Sequence, residues 1–237
     1  MQASDPETRR TLLRAAGLLA VAGGIANGVG DYMLQGGPAP GPGVNTYVQL
    51  ADAPFDQVFL GSLIGNAAIP LWLLGFWPVY VALAPAGTKL ALPPVLLLGY
   101  AFSIFPGYHG SYALYAAAFQ AQATAPPELA SVITPMVERM DAYHSAVMML
   151  IGPGVPLGSL WFAAVVLFRE TLYARWMAFV VPIVAPLTQP LAEMLPGPYG
   201  AYVRPAWGTT FFTLFFLLAT IVTWNAPIDR HAKEAAE

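Results

Sequence analysis

The chain has 237 residues, 57% of them hydrophobic and 10% charged, with a mean hydropathy of +0.59. Soluble domains carry about 25% charged residues, so this composition excludes an ordinary water-soluble domain and predicts an integral membrane protein. The net charge of −3 comes with no basic run able to hold nucleic acid, and the absence of cysteine excludes disulfides and thiolate chemistry.

Apolar windows of about 20 residues, the length that crosses a hydrocarbon core of about 30 Å, fall near 12–34, 57–83, 90–120, 136–168, 173–195 and 204–225. They predict an all-α polytopic bundle of six transmembrane helices, one domain over 1–237. Arg9, Arg10 and Arg14 precede the first span, Lys89 lies between the second and third, Arg169 and Arg175 between the fourth and fifth, and Arg230 and Lys233 after the sixth. In an even-span topology these all lie on one side, so both termini are expected to be cytoplasmic in a multi-pass inner (plasma) membrane protein of bacterial type. The segment Thr8-Arg9-Arg10-Thr11-Leu12-Leu13-Arg14 also resembles a twin-arginine export signal, whose cleavage would leave five spans and break this alternation.

In the first span, Gly23, Gly24, Gly28 and Gly30 form a small-residue face suited to helix contact. A turn-rich loop, Gln35-Gly-Gly-Pro-Ala-Pro-Gly-Pro-Gly-Val44, follows it. Gly152-Pro153-Gly154-Val155-Pro156 predicts a break in the fourth span, with a polar half before it. Pro182, Pro186 and Pro190 each remove an amide donor from the fifth, and the freed carbonyls need neighbouring helices or a wet cavity.

Ionisable groups inside such spans mark a functional site by default. With a rise of 1.5 Å per residue, Asp31 lies near the outer end of span one and Asn66 about 13–14 Å below the outer surface in span two. His109 lies near the outer end of span three, and Glu138, Asp141 and His144 lie in the first half of span four. Gln189 and Glu193 close span five. The unusual polar residues therefore gather in the outer half of the membrane. Glu138, Asp141 and Ser145 form a stripe at i, i+3 and i+7, His144 is one step from Asp141, Asn27 shares a face with Asp31, and Phe105, His109 and Tyr112 line one side of span three.

Carboxylates and imidazoles in such a pocket suit general acid–base work. The candidate catalytic residues are Asp31, His109, Glu138, Asp141 and His144, with Asn27, Asn66, Tyr112, Ser145 and Gln189 as candidate substrate contacts. An Asp141–His144 pair is expected to orient one proton carrier, with His109 as the second. The same carboxylates and histidines are a rival ligand set for a metal ion, and two histidines a rival pair for haem. The Glu-x-x-Asp-x-x-His spacing is no metal signature, so neither metal nor cofactor is expected. A retinal Schiff base is excluded because Lys89 and Lys233 both lie outside the spans.

Gly30-Asp31-Tyr32-Met33-Leu34 resembles the Gly-Asp-x-x-Leu element of lysoplasmalogenase-type membrane proteins, and Phe105-x-x-x-His109-x-x-Tyr112 followed by Phe119 resembles their later Phe/His/Tyr element. That resemblance implies a multi-span bundle hydrolysing the vinyl ether of a lysoplasmalogen, with Asp31 as acid–base group and His109 beside it. As a whole the chain is similar to six-span bacterial membrane proteins of unknown function. The expectation is a membrane-embedded enzyme acting on a membrane lipid, isoprenoid or other hydrophobic small molecule by hydrolysis, hydration or isomerisation. A transporter or binder of a hydrophobic or proton-coupled ligand, and a structural or assembly protein, are the alternatives.

Overall fold

A computed structural model describes residues 5–36, 50–197 and 199–226, and every regular element among them is helical. The expected turn-rich loop after span one lies largely outside the described residues, as do Arg230 and Lys233. The helices are α1 (Pro6–Gln35), α2 (Phe55–Leu83), α3 (Thr88–Thr124), α4 (Ala130–Ile151), α5 (Gly154–Phe168), α6 (Val184–Glu193), α7 (Tyr199–Val203) and α8 (Trp207–Thr223). Four helical stretches, Pro6–Gln35, Phe55–Ala86, Thr88–Thr124 and Pro127–Phe168, are long and apolar enough to cross a membrane. The surface they present is apolar, with Ile25, Leu96, Leu114 and Leu160 exposed. Such a surface suits lipid rather than water.

The glycines of α1 act as expected, by letting backbones approach. A Cβ on Gly30 would lie 2.9 Å from the carbonyl oxygen of Gly61, and one on Gly61 would lie 2.9 Å from that of Gly30. No side chain fits either position without spreading α1 from α2. Gly17 and Gly24 make room instead for the side chains of Thr220 and Thr213 of α8, so α1 is wedged between two partners. The turn from α2 into α3 passes through Gly87, whose φ of 88° favours glycine.

Arg14 donates to the Trp224 carbonyl at 2.9 Å and to Asn225 Oδ1 at 3.0 Å. The start of α1 and the end of α8 therefore share one end of the bundle. Leu172 N–H reaches the carbonyl of Ala82 at 2.9 Å, so the chain leaves α5 near the end of α2, which is the same end. It then climbs to Thr209, which meets Asp31 at the opposite end.

That climb differs from the single helix expected over 173–195. It consists of a 3-10 turn (Arg175–Phe179), a bend, the ten-residue α6 and the short α7. Proline is the physical reason: Pro182 lies before α6, Pro190 inside it, and each withholds an amide hydrogen that a continuous helix needs. Side chains and neighbouring backbone secure the broken path. Arg175 donates to the carbonyls of Val166 and Arg169, and Ile183 N–H donates to Ser159 Oγ at 3.1 Å. The break expected in the fourth stretch falls between Ile151 and Gly154.

Edge-on aromatic rings fill the middle of the bundle. Trp72 meets Phe102 at 5.2 Å and Phe212 at 5.6 Å, and Phe76 meets Phe216 at 5.2 Å. Nearer the Arg14 end, Tyr173 packs edge-on to Phe162 at 5.0 Å, and its hydroxyl has no hydrogen-bond partner among the described residues. Removing an unpartnered buried hydroxyl costs nothing in lost hydrogen bonds. Tyr173→Phe should therefore leave stability unchanged or raise it by up to about 1 kcal/mol, measured by thermal unfolding in detergent. A clear loss would reveal a partner for the hydroxyl.

Candidate functional site

Two polar groups stand directly above the aromatic core. The first joins three helices around one carboxylate. Asp31 of α1 accepts a hydrogen bond from Asn27 Nδ2 at 3.0 Å and another from Thr209 Oγ1 of α8. His109 of α3 places Nε2 3.2 Å from its other oxygen, Oδ1. Asn27 Nδ2 also reaches Thr209 Oγ1 at 2.9 Å, so the threonine hydroxyl accepts from one partner and donates to the other. All four side chains are buried. Their mutual bonding is what makes a carboxylate tolerable at this depth.

His109 is seated by an absence of side chain on α2. A Cβ on Gly65 would overlap Nδ1 of the imidazole, so the ring occupies the space that any residue larger than glycine would take. Nδ1 itself has no hydrogen-bond partner among the described residues, and neither do Asn66 Oδ1 and Ser62 Oγ on the same helix as Gly65. Gly65→Ala should lower stability by about 1–3 kcal/mol, the usual cost of overpacking. The companion His109→Ala should remove most of that penalty, because it vacates the contested space; a double variant no better than additive would contradict this seating.

The second group lies between α3 and α4. Ser111 Oγ donates to the Tyr108 carbonyl at 2.6 Å and lies 2.9 Å from His144 Nδ1. With its one proton committed to that carbonyl, Ser111 accepts from the imidazole. The neutral His144 ring then carries its hydrogen on Nδ1 and its basic lone pair on Nε2. The ring lies between Tyr108 and Tyr115, at centroid distances of 4.1 and 5.5 Å. Tyr115 donates its hydroxyl to Asp141. Tyr112 separates the two groups, 5.9 Å from the His109 ring and 5.4 Å from the His144 ring; its hydroxyl takes part in bonds with Gln35 and Tyr108.

A cavity of about 350 Å³ opens beside His144, between α3 and α4. Ser111, Tyr115, Arg139 and His144 line it together with the apolar Leu114, Met136 and Met140. Leu114 and Met136 are exposed on the outer surface, so the cavity faces sideways into the membrane region. A larger groove of about 520 Å³ beside Trp161 and Arg169 is lined by neither histidine nor carboxylate.

The sequence-based candidates separate accordingly. Asp31, Asn27 and His109 share the first group, while His144 and Asp141 enter the second through Ser111 and Tyr115. Tyr112 lies between them. Asn66 adjoins the first group on α2, half-buried against Gly110. The expected inward stripe of Glu138, Asp141 and Ser145 is exposed at all three positions, and Asp141 meets the bundle through the Tyr115 hydroxyl of α3. α4 turns Val137, His144, Val147 and Ile151 inward instead. At about 100° per residue, Glu138 lies roughly 120° around the helix from His144. Gln189 is half-buried on α6, which packs chiefly against α8.

Thr209, Ser111, Tyr115 and Arg139 join the site without standing out in the sequence. Tyr115 belongs to the aromatic run around His109, and Tyr108, Ser111 and Tyr115 stand at i, i+3 and i+7, so a helical-wheel reading of α3 reaches both. Thr209 carries no such signal.

A family model described as a family of unknown function, DUF6796, matches residues 8–228. The chain belongs to that family. No curated protein and no solved structure matches it. For this DUF6796 chain the chemistry must come from its own geometry, and that geometry is one of proton donors and acceptors. Among the described residues, no three or more histidines and carboxylates gather into a set able to hold a metal ion.

Proposed function

We propose that this DUF6796 protein is a membrane-embedded acid–base enzyme acting on a hydrophobic lipid or isoprenoid in the α3–α4 cavity, by hydrolysis, hydration or isomerisation. The carrying observation is His144: a buried imidazole, fixed at Nδ1 by Ser111, whose ring forms part of the wall of an otherwise largely apolar cavity. In this reading His144 Nε2 takes and returns the proton, while Ser111 holds the tautomer and Tyr108 and Tyr115 hold the ring plane. Tyr115, on the Asp141 carboxylate, is the second group able to follow a proton at the same wall. Protonation of a vinyl ether or an alkene, or activation of water, lies within the reach of such a pair. Asp31 and His109 serve behind it as a buried pair that fixes α1, α3 and α8 relative to one another.

The topology belongs to the same reading. Arg14 and Trp224 meeting at one end supports an even number of crossings, with the segment from 169 to 206 as a broken fifth crossing and both termini cytoplasmic in the plasma membrane. Broken helices also occur in transporters. Here the amide of Ile183 beside Pro182 is satisfied by Ser159, and Thr188 bonds Trp207, so side chains of the bundle answer the break and it lends transport little support.

The test is incubation of the purified protein in neutral detergent with a total membrane lipid extract, followed by mass spectrometry. Catalysis predicts a new product that grows with time. Lipid movement into proteoliposomes without chemical change would replace the enzyme reading by transport.

A further inference from the structure

We infer that the α3–α4 cavity takes an amphiphile with an anionic headgroup, the headgroup on Arg139 and the apolar chain along Leu114, Met136 and Met140. The inference deepens the proposed function and rests on it for the reaction, but binding can be tested without turnover.

Arg139 lines the cavity and has no hydrogen bond or ion pair with another described residue. Its carboxylate neighbours on α4 are directed elsewhere. Glu138 is exposed and does not line the cavity, and Asp141 accepts from Tyr115. Arg139 thus lines an apolar recess with no partner for its permanently charged guanidinium among the described residues. Planar pairs of anionic oxygens, in a phosphate or a carboxylate, match its fork of donors. A neutral headgroup would leave the charge uncompensated and a cationic one would be repelled by it.

The rest of the recess selects the other end of the ligand. Its volume of about 350 Å³ lies within the usual range for small-molecule sites, roughly 300–1,000 Å³. Leu114, Met136 and Met140 supply hydrocarbon and thioether beside the rings of Tyr115, Tyr143 and His144, and exposed Leu114 and Met136 let a chain leave sideways into the bilayer. A free inorganic anion would use Arg139 and none of this surface. The combination fits a single-chain or isoprenoid phosphate or carboxylate.

Native mass spectrometry of the full chain in a maltoside detergent tests this with dodecyl phosphate as probe, and inorganic phosphate and dodecyl trimethylammonium as comparators. Dodecyl phosphate should be retained, and the two comparators should not. Arg139→Gln should weaken retention about tenfold or more, the scale of a lost charge-assisted hydrogen bond, while Arg139→Lys keeps part of it. Because Arg139 is exposed, both variants should unfold at the parent temperature. Equal retention by Arg139→Gln, or equal binding of either comparator, overturns the inference. Retention of dodecyl phosphate by a protein that makes no product from any lipid would sink the enzyme reading and leave the binding site standing.

Discussion

Asp31→Ala should destabilise the protein by about 3–5 kcal/mol, the scale of removing a buried carboxylate and leaving its hydrogen-bond donors unsatisfied. The carboxylate is the common acceptor for Asn27, Thr209 and His109, which come from its own helix, α8 and α3. Its loss takes the acceptor from the Thr209 hydroxyl and from His109 Nε2 and leaves the Asn27 amide with Thr209 alone. Reversible unfolding in mixed micelles measures the effect. Asp31→Asn should be milder, since an amide keeps the shape and one accepting oxygen but offers its NH2 to groups that are themselves donors. The double variant Asp31→Ala/His109→Ala should lose much less than the sum of its parts, because once the carboxylate is gone the imidazole is a liability. Strict additivity, or a loss under about 1 kcal/mol for Asp31→Ala, would mean that this pair does not tie the helices together.

The second large effect concerns chemistry. His144→Ala should lower product formation about 10²- to 10⁴-fold, the contribution usual for a positioned general acid or base. His144 is buried, so truncation also leaves a void. His144→Gln, which fills more of the space and can keep a hydrogen bond to Ser111, separates the two consequences. It should restore the unfolding temperature without restoring turnover. Ser111→Ala should give a smaller fall and a displaced pH optimum, as expected for a positioning residue that sets the tautomer. Full turnover in a folded His144→Gln protein would remove His144 from the mechanism.

Much of this architecture is legible in the amino-acid sequence. The apolar windows predict helices, and four helical stretches of spanning length stand where four of those windows lie. The glycines of α1 predict a close helix contact because no other residue permits backbones to approach so far, and the break at Gly152 and Pro153 follows from proline withholding a donor. Asp31 and His109 are marked by their depth, since a buried charge demands an explanation. The proline-rich fifth segment is less legible. Its hydropathy suits a span, but hydropathy counts apolar atoms and does not register missing amide hydrogens, and three prolines at intervals of four leave only ten residues of α6 helical.

Partners across helices are the larger gap. Spacing along α4 correctly places Glu138, Asp141 and Ser145 in one stripe, yet it is silent about which way that stripe is turned. The direction depends on what α3 offers: Ser111, Tyr108 and Tyr115 take the imidazole of His144, and Val137, Val147 and Ile151 follow it inward. Asp141 acts on His144 through its charge, while their hydrogen bonds run to α3, Tyr115 on Asp141 and Ser111 on His144, and Asp31 and His109 meet across α1 and α3. Composition and helical period act within each helix, and they suffice to read an all-helical, membrane-type chain with carboxylates and imidazoles concentrated toward one end. Which side chains meet depends on the rotation of each helix about its axis, and packing between helices sets that. At Gly65 the deciding quantity was the space left where α2 has no side chain.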